Sequence, residues 1–165
     1  MQINVQSGDI ASVQADAIVL GLFEGVTAPD GNAGAVDQAM GGALGQLIAA
    51  GDLRGKQGEF TTVHTLGRLP APRVVVVGLG KQDAFDIDKV RSLSGDLSRY
   101  LRRNHLKSVA IADAAGLGVE ESAAAIAEGM LLGSYRFMRH KKADDEADLE
   151  SVSYTHLTLP TILRV

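Results

Sequence analysis

Hydrophobic and polar positions change period several times along the chain, and each change marks an element. "INVQ", near the start, alternates apolar and polar residues as a half-buried strand does. From Asp16 to Phe23, "DAIVLGLF" is continuously apolar and predicts a buried strand. "EGVTAPDGNAG" carries turn chemistry and predicts a loop. Val36, Met40, Leu44, Leu47 and Ile48 then step by three or four, which predicts one helix from Ala35 to "GDLRGKQGE". "FTTVHTL" alternates again and "GRLPAP" turns. Arg73 to Leu79, "RVVVVGL", is the clearest strand signal in the sequence.

The second half repeats the alternation. Asp86 stands where an N-cap is needed, and Ile87, Val90, Leu93, Leu97, Tyr100 and Leu101 form one apolar stripe behind it. The basic "RRNHLK" falls at the C-terminus of that helix, where positive charge suits the dipole. "SVAIAD" predicts a short strand, and Val119 to about Met138 predicts a long, Ala-rich helix. Strands alternating with helices imply an α/β sheet covered on both faces. Gly129 and Gly133 lie four apart on the last helix, each costing about 1 kcal/mol against Ala in a helix interior. Close approach of another backbone is the expected return.

Composition narrows the class. A chain of 165 residues, 45% hydrophobic and 22% charged, is long enough for one domain with a real core. Arg164 is the sole charged residue of 152–165, so the net charge of −4 becomes −5 over residues 1–151, which disfavours nucleic-acid binding by bulk charge. Cysteine is absent, which excludes a disulfide scaffold and a thiolate zinc site. The N-terminus carries no signal-peptide pattern, and no apolar run approaches the ~20 residues of a membrane span.

Candidate chemistry is sparse. "VVVVGLGKQDAF" places Gly after a buried strand, where backbone N–H groups can face a phosphate. The dinucleotide fingerprint fails because Asp83 follows Gly78 and Gly80 in its third place, and the ATPase phosphate loop fails at Val75 and Gln82. A tight exit from the strand is the expected role. "GNAGAVDQAMGGALG" suits either an anion at a helix start or close helix packing. His64, His105, His140 and His156 keep no metal-ligand spacing, and His64 reads as a structural strand residue. Asp144, Asp145, Glu146 and Asp148 form an acidic run of the kind that is normally a solvated linker. Arg99, Arg102, Arg103 and Lys107 are the basic cluster that a nucleic acid would use, and they also fit a helix end. No G-x-S-x-G elbow is present.

Three segments, "DQAMGGALGQLIAAGDLRGKQGE", "RVVVVGLGKQDAFDIDKVR" and "AIAEGMLLGSYRFMRHKK", follow one another in an order and spacing that resembles the N-terminal domain of the leucine aminopeptidase (cytosol aminopeptidase) family. The resemblance covers residues 1–150. It implies a three-layer α/β/α fold with a macro-domain-like mixed sheet. It also implies that a catalytic domain would follow, holding two divalent metals, zinc or manganese. The complete protein would be a cytoplasmic hexamer that removes N-terminal residues from peptides, without a membrane, and some bacterial members also bind DNA. The hallmark catalytic segments, of the form N-T-D-A-E-G-R and G-K-G-x-T-F-D-S-G-G, do not occur in the chain. No residue here inherits a catalytic, metal-binding or cofactor-binding role, so the chain is expected to be inactive and to need no cofactor. Macro-like folds also imply a rival role as an ADP-ribose or phosphate module, and the basic cluster a second rival, a DNA-binding regulatory domain.

The expected organisation is a domain over 1–138 ending in the long helix, a charged linker over 139–150, and a tail over 151–165. The tail "SVSYTHLTLPTILRV" resembles a back-translated transposase sequencing adapter. GTC TCT TAT ACA CAT CTG ACG CTG CCG ACG spells Val152 to Thr161. The adapter's index bases and GTG TAG then yield arbitrary residues, Val and a stop. Native sequence is therefore expected to end at Glu150, with no closing strand after it.

Overall fold

The computed structural model describes residues 1–113, 117–135 and 148–156. Six strands and four helices alternate along them. The strands are β1 (Gln2–Ser7), β2 (Ala17–Phe23), β3 (Phe60–His64), β4 (Arg73–Gly80), β5 (Ser108–Ala112) and β6 (Ser151–His156). The helices are α1 (Gly31–Ala39), α2 (Ala43–Ala50), α3 (Ile87–Arg103) and α4 (Val119–Ser134). One sheet runs in the order β1-β6-β5-β2-β4-β3. Every neighbouring pair is parallel except β3 with β4, whose antiparallel pairing follows from the short hairpin between them.

The continuous apolar runs of β2 and β4 are explained by burial on both faces. Ala17, Val19, Val75, Val77 and Leu79 face α3 and α4, together with Val109 and Ile111 of β5. Ile18, Leu20, Val74 and Val76 face the opposite way, toward Val36, Met40 and Leu44 of α1 and α2. The result is the expected three-layer α/β/α sandwich with a mixed sheet.

The single helix predicted from Ala35 is two helices. The break lies at Gly41 (φ +68°) and Gly42 (φ +85°), left-handed conformations open to Gly at little cost. Asp37 Oδ1 accepts from Gly45 N at 3.0 Å, tying the second helix back to the first. Arg68 Nη1 donates to the Met40 carbonyl at 2.6 Å and satisfies the exposed end of α1. The apolar step of three or four continues through the break, so periodicity alone hides it.

Asp86 caps α3 as predicted, its Oδ1 accepting from Lys89 N at 2.9 Å. Helix α4 ends at Ser134, before the predicted Met138. Gly129 and Gly133 do buy close approach. A Cβ on Gly133 would overlap the Gly95 carbonyl and stand 2.8 Å from Gly95 Cα, and one on Gly129 would stand 2.8 Å from Ser94 Cβ.

The end of the chain departs most from expectation. Residues 151–156, expected to form no closing strand, form β6, and β6 lies inside the sheet with β1 on one side and β5 on the other. Val152 (0% exposed) and Tyr154 (1%) alternate into the α3/α4 core, which gives the segment the period of a half-buried strand. A resemblance to an adapter translation and strand-compatible side chains are independent properties of the same residues.

Candidate functional site

In a mostly parallel sheet, ligands bind beyond the carboxyl ends of the strands, where strand order reverses. Here β2 is the first strand laid down in the middle, with β4 on one side and β5 on the other, and a cleft of about 350 Å³ opens above its C-terminal end. Its walls are Leu20 to Phe23 of β2, Leu79 of β4, Ala112 and Asp113 after β5, and Pro29 to Ala33 leading into α1. Asn32 Nδ2 donates to the Asp113 carbonyl at 3.4 Å and ties the start of α1 to the end of β5.

The charges at this cleft are acidic. Asp30 and Asp113 are among the described lining residues, and no Lys, Arg or His is among them. Asp30 is the N-cap of α1, so a carboxylate occupies the end of the dipole that an anion would seek. A diphosphate placed here would meet like charge with no fixed cation among the described lining residues to offset it.

"GLGKQ" does not supply the missing donors. Gly78 N donates to the Glu59 carbonyl at 2.8 Å and Gly80 N to the Gly55 carbonyl at 2.9 Å. The 55–58 turn lies directly over these glycines, and Gly80 sits 3.0 Å from Gln57 Cβ measured from where its own Cβ would be. Glycine is required at Gly78 by a close crossing of backbone.

Arg103 of the basic cluster is exposed at the end of α3, and the other three members make structural contacts. Arg102 is 7% exposed and its Nη1 donates to the Ser134 carbonyl at 2.9 Å, closing the end of α4. Arg99 pairs with Asp96 one turn earlier, and Lys107 Nζ lies 3.6 Å from Glu150 Oε1. His64 is in β3 as predicted but exposed on the edge strand, and His105 is exposed after α3 in a left-handed conformation (φ +58°). His140 and residues 144–146 of the acidic run lie outside the described residues, as do 139–147 of the predicted linker.

Tyr154 is the polar group that sequence reasoning missed. Its hydroxyl donates to the Asp113 carboxylate from inside the core, and burial, with the adjoining Asp113, pushes its pKa well above the usual phenol range. Ser122 of α4 acts in the opposite direction. Beside this tyrosine lies an apolar cavity of about 60 Å³ under α3 and α4. Nothing in the alternation of "SVSYTH" reveals an acidic partner near residue 113 in sequence, because β5 and β6 meet only through the sheet.

Among the described residues, no group of three or more His, Asp or Glu side chains is placed to hold a metal ion. They do not fit a two-metal centre. No helix among them is long and apolar enough to cross a membrane.

Sheet order, the helices on both faces and the cleft at the central strand define a macrodomain-like α/β protein. A Trypanosoma brucei macrodomain crystallised with ADP superposes with a TM-score of 0.70 over 96% of this chain and 64% of that one, at 19% identity. A mutant of tomato leucine aminopeptidase superposes with a TM-score of 0.77 at 25% identity, over 96% of this chain and 33% of that one. The family model for the N-terminal domain of the cytosol aminopeptidase family matches residues 19–144, and the chain belongs to that family as its N-terminal domain. Among curated relatives, one from Alkaliphilus metalliredigens described as a probable cytosol aminopeptidase is 32% identical over 158 residues, covering 92% of this chain and 32% of that protein. Another from Streptomyces griseus, with the same description, is 35% identical over 150 residues, covering 87% and 28%. The chain thus spans about a third of the length of the curated relatives it matches.

Proposed function

We propose that this chain is the non-catalytic N-terminal part of a leucyl-type aminopeptidase. The remaining two thirds of such a protein would release N-terminal residues from peptides, using two divalent metals to activate water and polarise the scissile carbonyl. The observation that carries this reading is the family match over residues 19–144 in a chain that spans about a third of its relatives. A cytoplasmic hexamer is the assembly proposed for the complete protein. No residue of the present chain is assigned a catalytic, metal-binding or cofactor-binding role.

Turnover of a leucine anilide with added Mn²⁺ or Zn²⁺ tests this. The purified chain should show none, and a chain carrying the continuation encoded by the source gene should show it. Metal-dependent turnover that copurifies with the present chain would overturn the assignment. We also propose that residues 152–165 derive from a sequencing adapter, and the nucleotide read decides this: other codons at 152–161 refute it.

A macrodomain-like role toward ADP-ribose is the second reading, favoured by the cleft over β2. The carboxylates of Asp30 and Asp113 and the absence of a cation among the described lining residues weigh against it.

A further inference from the structure

β6 is held chiefly by what lies on either side of it. Among the described residues it is the only strand that β1 pairs with, and it covers the outer edge of β5. The chain is steered into place before the strand begins: Glu150 N donates to the Lys107 carbonyl at 2.7 Å, Gln2 N donates to the Glu150 carbonyl at 2.8 Å, and Leu149 is 5% exposed. Val152 and Tyr154 enter the α3/α4 core, while Ser151, Ser153 and Thr155 face a polar groove of about 370 Å³ on the other side, where Gln6 Nε2 donates to Ser153 Oγ at 2.6 Å.

Thr155 fits badly. It is 2% exposed, and its hydroxyl finds no hydrogen-bond partner among the described residues. A buried hydroxyl without a partner is costly, whereas an apolar side chain of the same shape is not. Tyr154 in turn delivers a phenol against the Asp113 carboxylate. The backbone register is satisfied along the strand while its side chains match the slot only in part.

We propose that the gap between β1 and β5 is a strand-acceptor slot, which takes an extended segment through its backbone and asks only for apolar residues at the 152 and 154 places. In the complete protein its occupant is the native continuation after Glu150, with an apolar residue where Thr155 now stands. That identity rests on the proposed adapter origin of residues 152–165, whereas the slot itself does not. Strand addition of this kind draws affinity from main-chain hydrogen bonds and selectivity from alternate side chains.

The slot is tested by emptying it. In the full chain carrying both Val152→Asp and Tyr154→Asp, β6 should leave the sheet. A dye-labelled synthetic peptide with the sequence of residues 149–156 should then bind saturably and restore hydrogen-exchange protection to the amides of 2–7. A peptide carrying the same two Asp substitutions should not bind. If the doubly substituted chain does not fold alone, recovery of its circular dichroism on adding the peptide is the same readout. Absence of both binding and recovery up to roughly millimolar peptide, about the range of an intramolecular effective concentration, overturns the slot. So does a doubly substituted chain that runs as a dimer and refuses the peptide, since a second copy would then be the occupant. In the otherwise unchanged chain, Thr155→Val should raise Tm by roughly 2–4 °C, the size expected for removing one unpartnered hydroxyl. An unchanged or lower Tm overturns the expected apolar residue at that place. Non-adapter codons at 152–161 would remove the foreign origin and leave the peptide result standing.

Discussion

Gly133→Ala should destabilise the domain by about 2 kcal/mol, although the same substitution in an unpacked helix would stabilise it by about 1 kcal/mol. The sign turns on the crossing of α3 and α4. An added methyl would overlap the Gly95 carbonyl and stand 2.8 Å from Gly95 Cα and 2.9 Å from its carbonyl carbon. These are backbone atoms inside a helix, so no rotamer change relieves the clash and the helices must separate. Overpacking of that kind costs about 1–3 kcal/mol. Separation also stretches the Arg102–Ser134 hydrogen bond of 2.9 Å, one residue along, worth about 1.5 kcal/mol or more with a charged donor. Together these exceed the propensity gain by about 2 kcal/mol. Thermal unfolding followed by circular dichroism should show a Tm lower by roughly 4–8 °C. Ala124→Gly, on the exposed side of the same helix, calibrates the propensity term and should lose about 1 kcal/mol. A neutral or stabilising Gly133→Ala would refute the close crossing.

Arg102→Ala should cost about 2 kcal/mol in urea unfolding, because Arg102 closes the end of α4 from a buried position. The parent chain should show no salt-dependent gel shift with DNA at low salt. Calorimetry with ADP-ribose should register no binding heat at high micromolar protein, and a saturable signal would show that Asp30 and Asp113 do not exclude the diphosphate. The raised pKa of Tyr154 makes stability depend on alkaline pH. The folded state holds the phenol proton more tightly than the unfolded chain, so this contribution is intact below about pH 10 and declines as pH rises above it. Tyr154→Phe should flatten the loss of stability between about pH 10 and 12, and an unchanged slope would show that the tyrosine is not buried against Asp113.

Elements whose side-chain pattern reports directly on burial were legible before the structure. β2 and β4 are apolar on both faces because both faces are covered, and α3 shows one stripe because one side is covered. The glycine spacing on α4 announced a helix crossing, since glycine inside a helix has few other returns. Two features stayed hidden for opposite reasons. The break between α1 and α2 leaves the apolar step intact, because Gly41 and Gly42 reverse the backbone without moving Met40 or Leu44 out of the core. β6 was hidden because its membership in the sheet depends on what flanks it. Six residues with apolar side chains at two alternate places carry little signal alone, and the pairing partners are β1, at the far end of the sequence, and β5, across α4.

The site follows the same logic one level up. Loops rich in glycine suggested anion binding twice, and each meets a different obstacle. Gly78 and Gly80 donate to the 55–59 turn, and α1 begins at an aspartate. A Gly-rich stretch records that backbone comes close to something, without recording whether the neighbour is a ligand or another part of the chain. Here the neighbour is the chain itself at Gly78, at Gly129 and at Gly133. The cleft over β2 is lined by the carboxylate residues Asp30 and Asp113. Arg102 serves a helix end, and Arg91 and Arg99 serve ion pairs. On the proposed reading, the chemistry belongs to the two thirds of the curated relatives' length that this chain does not span.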